Sequence, residues 1–445
     1  MGKFALISTV GKTDKAIALK QPYQMIAELP FLKYGNSKDV SIHTFFHELK
    51  RLKLRPSEIA MDLLILANSM YAADIRINRE RYGEDCWTRI IDLHIPVSNL
   101  GLWNANKHLI ERIFRFLTGD IWTIYFRERI DDCPSISPYS KLSRFKMPYD
   151  TDTVCLFSGG MDSFIGAINL LESGITPLLV GHAKSADVSP YQERCANAIR
   201  KKYIKSPPER IYAFIKIPKT NLFNTEEHTE RGRSFMFLSL GAICASSLNA
   251  SSKLYVPENG MISLNIPLTP LRVGSHSTRT THPEYLSMMQ QLFYGLGLNV
   301  AIINPFQFKT KGEMLSECLN KQLVVETETM SCSHPSGRYE GLGNGHCGYC
   351  VPCIIRQASF QAAGVVDKYP YRKNIHSNVL KIDKAEGADI LAFKYMIEKV
   401  RQQPQYLKAA IRLTGRLDGN LDEFIDVYSR ALNEVNNLIK DVRLA

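Results

Sequence analysis

Six residues constrain this chain most. Ser158-Gly159-Gly160-Met161-Asp162-Ser163 stands between a short apolar run, Val154 to Phe157, and a helical pattern from about Phe164 to Ser173. Two glycines at a strand exit let the backbone turn tightly and come close to an anion. Amide groups at the start of the following helix, with the helix dipole behind them, then favour phosphate. Ser158 and Ser163 add hydroxyl donors, and Asp162 is placed to orient the loop or to help hold a magnesium ion beside phosphates. The segment is not the GxxxxGK[ST] phosphate loop. An ordinary glycine turn is the plain alternative, and the strand–turn–helix setting argues against it.

The chain beyond this loop repeats the strand–helix pattern. Pro177 to Gly181, Ile211 to Ile217 and Lys253 to Pro257 read as strands, and Tyr191 to Tyr203 and Ser234 to Leu248 as helices. This βαβαβ alternation predicts a doubly wound parallel α/β sheet. Before it, Phe4 to Val10 reads as a strand, and Ile59 to Ala73 and Asn106 to Thr118 as helices, which suggests an α+β unit. Asp131 to Pro148, rich in Pro, Ser and Asp, reads as a linker. The expected organisation is an N-terminal unit at 1–150, a phosphate-binding α/β domain at 151–330, a cysteine-rich segment at 331–370 and a helical region at 371–445, which includes Asp389 to Arg401 and Leu421 to Leu438.

Four of the ten cysteines fall together: Cys332, Cys347, Cys350 and Cys353, spaced C-x14-C-x2-C-x2-C. CxxC turns bring sulfurs to one side, and four thiolates suit a closed, tetrahedral, structural zinc. A [4Fe–4S] cluster is the rival. His334 and His346 lie nearby and are left out of the ligand set, because four thiolates already fill it. The other six cysteines read as small buried apolar residues. No apolar stretch reaches the roughly 18 residues of a membrane span, and the first residues lack the apolar core of a signal peptide. A cytoplasmic protein is expected. The net charge of +11 is spread along the chain. It reads first as a solvated basic surface, leaving nucleic acid allowed but not required.

The six-residue loop resembles the SGGxDS signature of the PP-loop ATP pyrophosphatase superfamily. Together with the later Cys347-Gly348-Tyr349-Cys350-Val351-Pro352-Cys353, it resembles QueC-type enzymes, which make 7-cyano-7-deazaguanine. The resemblance covers roughly residues 153 to 365. It extends to Thr329-Met330-Ser331-Cys332, to Arg356, to Arg231-Gly232-Arg233-Ser234, and to Asn304-Pro305-Phe306 followed by Lys309, Lys311 and Glu313. The resemblance implies that Ser158, Gly159, Gly160, Met161, Asp162, Ser163 and Arg233 bind ATP. It also implies that Asp162, Ser163 and Lys311 serve catalysis, with ATP, Mg2+ and Zn2+ as cofactors. The family's substrate loop corresponds to Ser277-Thr278-Arg279-Thr280-Thr281-His282-Pro283-Glu284-Tyr285, so Arg279 and His282 are the expected substrate contacts. Where the family carries a DYxQ-like segment, this chain reads Val180-Gly181-His182-Ala183-Lys184.

The extra N-terminal unit and helical tail are similar to those of QueC-like proteins in bacterial antiviral defence operons, the Qat system among them. The implied chemistry adenylates a deazaguanine carboxylate and joins it to an amine, either ammonia or the N-terminus of a partner protein from the same operon. Homodimers occur among such enzymes, and the resemblance carries that assembly with it. Two other readings stay open: a tRNA-modifying PP-loop enzyme, and a non-catalytic nucleotide-binding scaffold.

Overall fold

The computed structural model describes residues 2–19, 21–130, 136–137, 150–183, 189–219, 222–223, 225–248, 251–269, 279–336, 344–377 and 379–445. Most of the expected linker Asp131–Pro148, and Lys184, Ser277 and Thr278, lie outside the described residues.

Nine described strands form two sheets, and every pairing in both is parallel. The first sheet has the order β2-β1-β3-β4, with β1 at Lys3–Val10, β2 at Met25–Phe31, β3 at Ile90–Val97 and β4 at Ile121–Glu128. Parallel neighbours need long crossovers. Helices His43–Arg51 and Glu58–Arg76 lie between β2 and β3, and helix Leu100–Thr118 lies between β3 and β4. The expected α+β unit is therefore corrected to α/β. The long helices were legible, but β2, β3 and β4 were not, and without them the alternation was hidden.

Helix Glu58–Arg76 starts at Ser57, whose side chain accepts a hydrogen bond from the Ala60 N–H. Every residue from Ala60 to Arg76 is buried. A helix buried on all sides needs cover on all sides, and partners for the Asp62, Asn68 and Asp74 side chains it carries inside. Here the cover comes from β1 and β3 and from helix Arg233–Ser246 of the second sheet's layer. One apolar core accordingly runs from Phe4, Leu93 and Phe114 through Leu64 and Met70 to Phe235, Leu240 and Leu254.

The second sheet has the order β7-β6-β5-β8-β9. Its strands are β5 at Thr153–Leu156, β6 at Leu178–Ala183, β7 at Arg210–Phe214, β8 at Ser252–Tyr255 and β9 at Val300–Ile303. The chain builds outward from β5 through β6 to β7, then returns to the other side of β5 with β8. That reversal opens a crevice at the carboxyl ends of β5 and β8, where doubly wound sheets bind ligands. A separate core is formed by helices Val351–Ala362, Ala385–Gln402, Pro404–Thr414 and Leu421–Ile439, together with Met261 and Leu264.

Candidate active site and metal centre

The glycine loop occupies the β5 side of this crevice. Gly159 has φ +81°, and a Cβ there would lie 2.8 Å from the Gln192 backbone nitrogen, so both the turn and the close approach require glycine. Helix Met161–Glu172 begins directly afterwards. The Ser158 and Ser163 hydroxyls lie 3.1 Å apart, and the Ser163 hydroxyl donates to the Gly160 carbonyl at 2.9 Å. The Met330 N–H donates to the Gly159 carbonyl at 2.9 Å. The loop is thus held from both flanks before any ligand arrives.

Below the loop is a buried charge cluster. Lys311 Nζ lies 2.6 Å from Asp162 Oδ1. The Asn259 side chain donates to Asp162 Oδ2 at 2.7 Å and to Glu258 Oε1 at 3.1 Å. Burial works to raise the Asp162 pKa, but Lys311 and these hydrogen bonds outweigh it and hold the carboxyl below its ordinary range. Glu258 shifts the other way. Burial and the neighbouring Asp162 charge push it well above the ordinary range, against the pull of Lys311. Two carboxyls beside one ammonium are thus driven apart in acidity, Asp162 toward the ionised form and Glu258 toward the protonated one. Glu258 and Asn259 were missed in the sequence. The available signal was their place, Pro257-Glu258-Asn259-Gly260, just beyond β8 and beside the phosphate-loop strand.

Two chambers meet at this cluster. The smaller, about 200 Å³, is lined by Gly160, Asp162, Lys311, Met330 and others. The larger, about 450 Å³, is more apolar and includes Leu156, Phe237, Val256, Arg233, Thr280 and Thr281. Ser158, Ser163, Pro257 and Glu258 line both.

A family model, Queuosine biosynthesis protein QueC, matches residues 280–364, which include β9, Lys311 and the four clustered cysteines. This chain is QueC-like over that stretch. It is also 28% identical over 145 residues to 7-cyano-7-deazaguanine synthases from two serovars of Leptospira interrogans, copenhageni and Lai. Each alignment covers 31% of this chain and 51% of the relative. The chain thus spans about half the length of the curated relatives it matches. No solved structure matches.

Arg233 reaches the larger chamber. Its Nε–H donates to His182 Nδ1 at 3.4 Å, and among the described residues it pairs with no carboxylate. Burial holds the guanidinium below its ordinary pKa. Arg279 and His282 line neither chamber. Arg279 packs over the Phe116 ring, 4.7 Å from its centroid. His282 is fully buried as the N-cap of helix Pro283–Gly295: its Nδ1 accepts from the Glu284 N–H at 3.2 Å, and its Nε2 lies 3.0 Å from the Thr414 hydroxyl. His282, expected as a substrate contact, caps this helix here and lines neither chamber. Its immediate neighbours Thr280 and Thr281 are the residues that reach the cavity.

The four cysteines converge. Cys332 and Cys350 Sγ are 3.8 Å apart, Cys347 and Cys353 Sγ are 3.9 Å apart, and all four sulfurs lie within 4.8 Å of one another. A tetrahedron of zinc–sulfur bonds of about 2.3 Å has edges of about 3.8 Å. The spacing therefore fits one zinc ion. A cubane cluster attaches each thiolate to a separate iron and spreads the sulfurs further. Backbone N–H groups of His334 and Cys347 donate to Cys332 Sγ, both at 3.3 Å, which stabilises thiolate charge. His346 is not in the ligand set: its Nε2 faces the Thr329 carbonyl at 3.0 Å. The buried Arg356 pairs with Asp367 and donates to the Thr329 hydroxyl at 2.6 Å, fixing the segment that leads to Met330 and the loop. No described helix is long and apolar enough to cross a membrane.

Proposed function

We propose that this chain is an ATP-using enzyme that activates a carboxylate on a 7-deazaguanine-type substrate and joins it to an amine. The observation that carries this reading is the Lys311–Asp162–Glu258 cluster beneath an amide-lined glycine loop, at the junction of two chambers. ATP phosphates lie in the smaller chamber, against the loop N–H groups, the helix start and Lys311. The purine-sized, more apolar chamber takes a planar heterocycle, with Arg233 available to an anionic group.

The substrate carboxylate oxygen attacks the α-phosphorus, and pyrophosphate leaves. The amine nitrogen then attacks the acyl carbon, AMP departs with the bonding electrons, and the amine loses a proton. This chain's residues bind, align and neutralise charge, and Glu258 accepts or returns a proton at its carboxyl. Asp162 and Glu258 would hold Mg2+, which supplies charge neutralisation to phosphate when bound. The zinc centre is structural and stiffens the Met330 side of the loop.

The amine is ammonia or the N-terminus of a partner protein, and the setting is antiphage defence of the Qat kind. This part rests on the resemblance of the whole chain, including its first sheet and helical tail. Mass spectrometry of a reaction containing the protein, MgATP, 7-carboxy-7-deazaguanine and ammonia tests the reading, with and without proteins from its operon. An amide or nitrile establishes a synthase. A matching mass gain on a partner protein establishes a ligase. Neither product, with ATP still bound, removes the deazaguanine reading.

A further inference from the structure

The segment from Thr225 to Ser234 supplies one side of the larger chamber through His228, Thr229, Glu230, Arg233 and Ser234. Much of what holds it belongs to the first sheet's layer. The Glu227 N–H donates to the Ile75 carbonyl at 3.0 Å, and the Thr225 hydroxyl to the Arg76 carbonyl at 2.8 Å. The Arg79 N–H donates to Glu227 Oε2 at 2.9 Å. Arg231 lies over the Trp87 ring, 4.4 Å from its centroid. A Cβ on Gly232 would lie 2.5 Å from Met70 Sδ, so the segment is pressed against helix Glu58–Arg76.

One contact reaches the residue next to Arg233. Asp74 Oδ2 accepts the Gly232 N–H at 2.7 Å, while Asp74 Oδ1 is held by Arg89 at 2.8 Å and Arg79 at 3.3 Å. The carboxylate is fully buried and fixed by two cations. Its second oxygen thus sets the backbone from which Arg233 projects.

We propose that Asp74 is a positioning residue that acts through Arg233, and that the N-terminal parallel sheet unit is a built-in support behind the wall that the 225–234 segment gives the nucleotide and substrate chamber. This rests on Arg233 contacting nucleotide, as the proposed function has it.

Binding of MgATP to the full chain is the test, measured for wild type, Asp74→Asn, Arg233→Ala and the double variant. Asp74→Asn keeps the side-chain shape. Arg79 and Arg89 retain Asp120 as counter-ion, so folding is expected to survive. The expected result is about a tenfold loss of affinity for each single variant and no further loss in the double. Zinc content should stay near that of wild type, and the thermal midpoint, lowered by loss of one buried charge, should stay above the temperature of the binding measurement. Glu227→Ala, which loosens the same segment without touching the ion pairs, should weaken binding in the same direction. Additive losses, or unchanged affinity in Asp74→Asn while Arg233→Ala is impaired, overturn the proposal alone. Unchanged affinity in Arg233→Ala removes the reading of Arg233, and the Asp74 proposal with it.

Discussion

Lys311 neutralises Asp162 across a 2.6 Å contact directly under the glycine loop. Both side chains are nearly buried, so each depends on the other, and Lys311 also faces the chamber assigned to phosphate. Lys311→Met should therefore lower ATP turnover by about 10²-fold, the scale of losing one preorganised charge from a reacting phosphate. Steady-state release of pyrophosphate reads this. Unchanged turnover would remove Lys311 from the catalytic set.

Glu258 gives a proton-linked signature. Burial and the Asp162 charge raise its pKa and so favour the protonated form, whereas Mg2+ held by Glu258 and Asp162 would favour the ionised form. Binding of MgATP should thus release up to about one proton per chain. Calorimetry in buffers of different ionisation enthalpy counts it. Glu258→Gln should abolish the release and weaken MgATP binding. The same proton count in both proteins contradicts a protonated Glu258 at this pair.

The C-terminal helix Leu421–Ile439 reaches the lysine from behind. Glu434 accepts from the Thr310 hydroxyl and from the Gly312 N–H at 3.2 Å, and Arg430 donates to the Phe308 carbonyl at 3.1 Å and pairs with Glu313. Thr310 and Gly312 flank Lys311. Glu434→Ala should leave two buried donors unsatisfied and cost about 1–3 kcal/mol of stability. Turnover should fall with it, while Glu434→Gln stays closer to wild type. Denaturant midpoints and turnover measured together would expose any departure from that order.

Zinc content offers a direct reading of the cysteine cluster. One zinc per chain is expected by elemental analysis, without iron. Cys350→Ser should reduce that content and lower the melting temperature by about 5 °C or more, because metal binding contributes to folding. A zinc-free, equally stable Cys350→Ser protein, or iron with visible absorbance, contradicts the assignment.

Acid should weaken the fold partly through His282. Burial, then the Arg279 charge, lower its pKa from 6.5 to about 3. The unfolded chain therefore binds a proton that the folded chain refuses, from about pH 6.5 downward. Stability from this site is complete above pH 6.5. It falls by up to about 1.4 kcal/mol per pH unit as pH drops toward the folded value. Unfolding midpoints against pH should show a shallower acid slope for His282→Asn, since asparagine also caps helices but does not titrate. Parallel slopes would contradict the buried neutral ring.

Local patterns were legible and long-range pairings were not. The glycine loop and the CxxC turns suggest their chemistry within a few residues, and the structure brings the four cysteine sulfurs together and sets the loop between β5 and the helix that follows it. Lys311 was found through its resemblance, yet its partner Asp162 lies across the fold and only coordinates bring the two together. Glu258 escaped because a single carboxylate after a strand has no periodic signature; its meaning comes from the neighbouring strand. His282 was expected at the substrate through the resemblance, and the structure shows it capping the helix that Pro283 and Glu284 begin. In the first sheet, β3 is buried along nearly its whole length and carries Asp92 and His94 within it, so it shows neither the simple alternation nor the unbroken apolar run that marks a strand.

The hold of Glu434 on the Lys311 turn also bears on when the molecule becomes competent. Synthesis runs from the N-terminus, and the glycine loop, Asp162, Glu258 and the cysteines all emerge before Glu434 does. A nascent chain can assemble the second sheet around the crevice while the turn bearing Lys311 still lacks its brace. The turn bearing Lys311 therefore reaches its braced form only once helix Leu421–Ile439 docks, so the crevice is completed last, by the final helix of the fold.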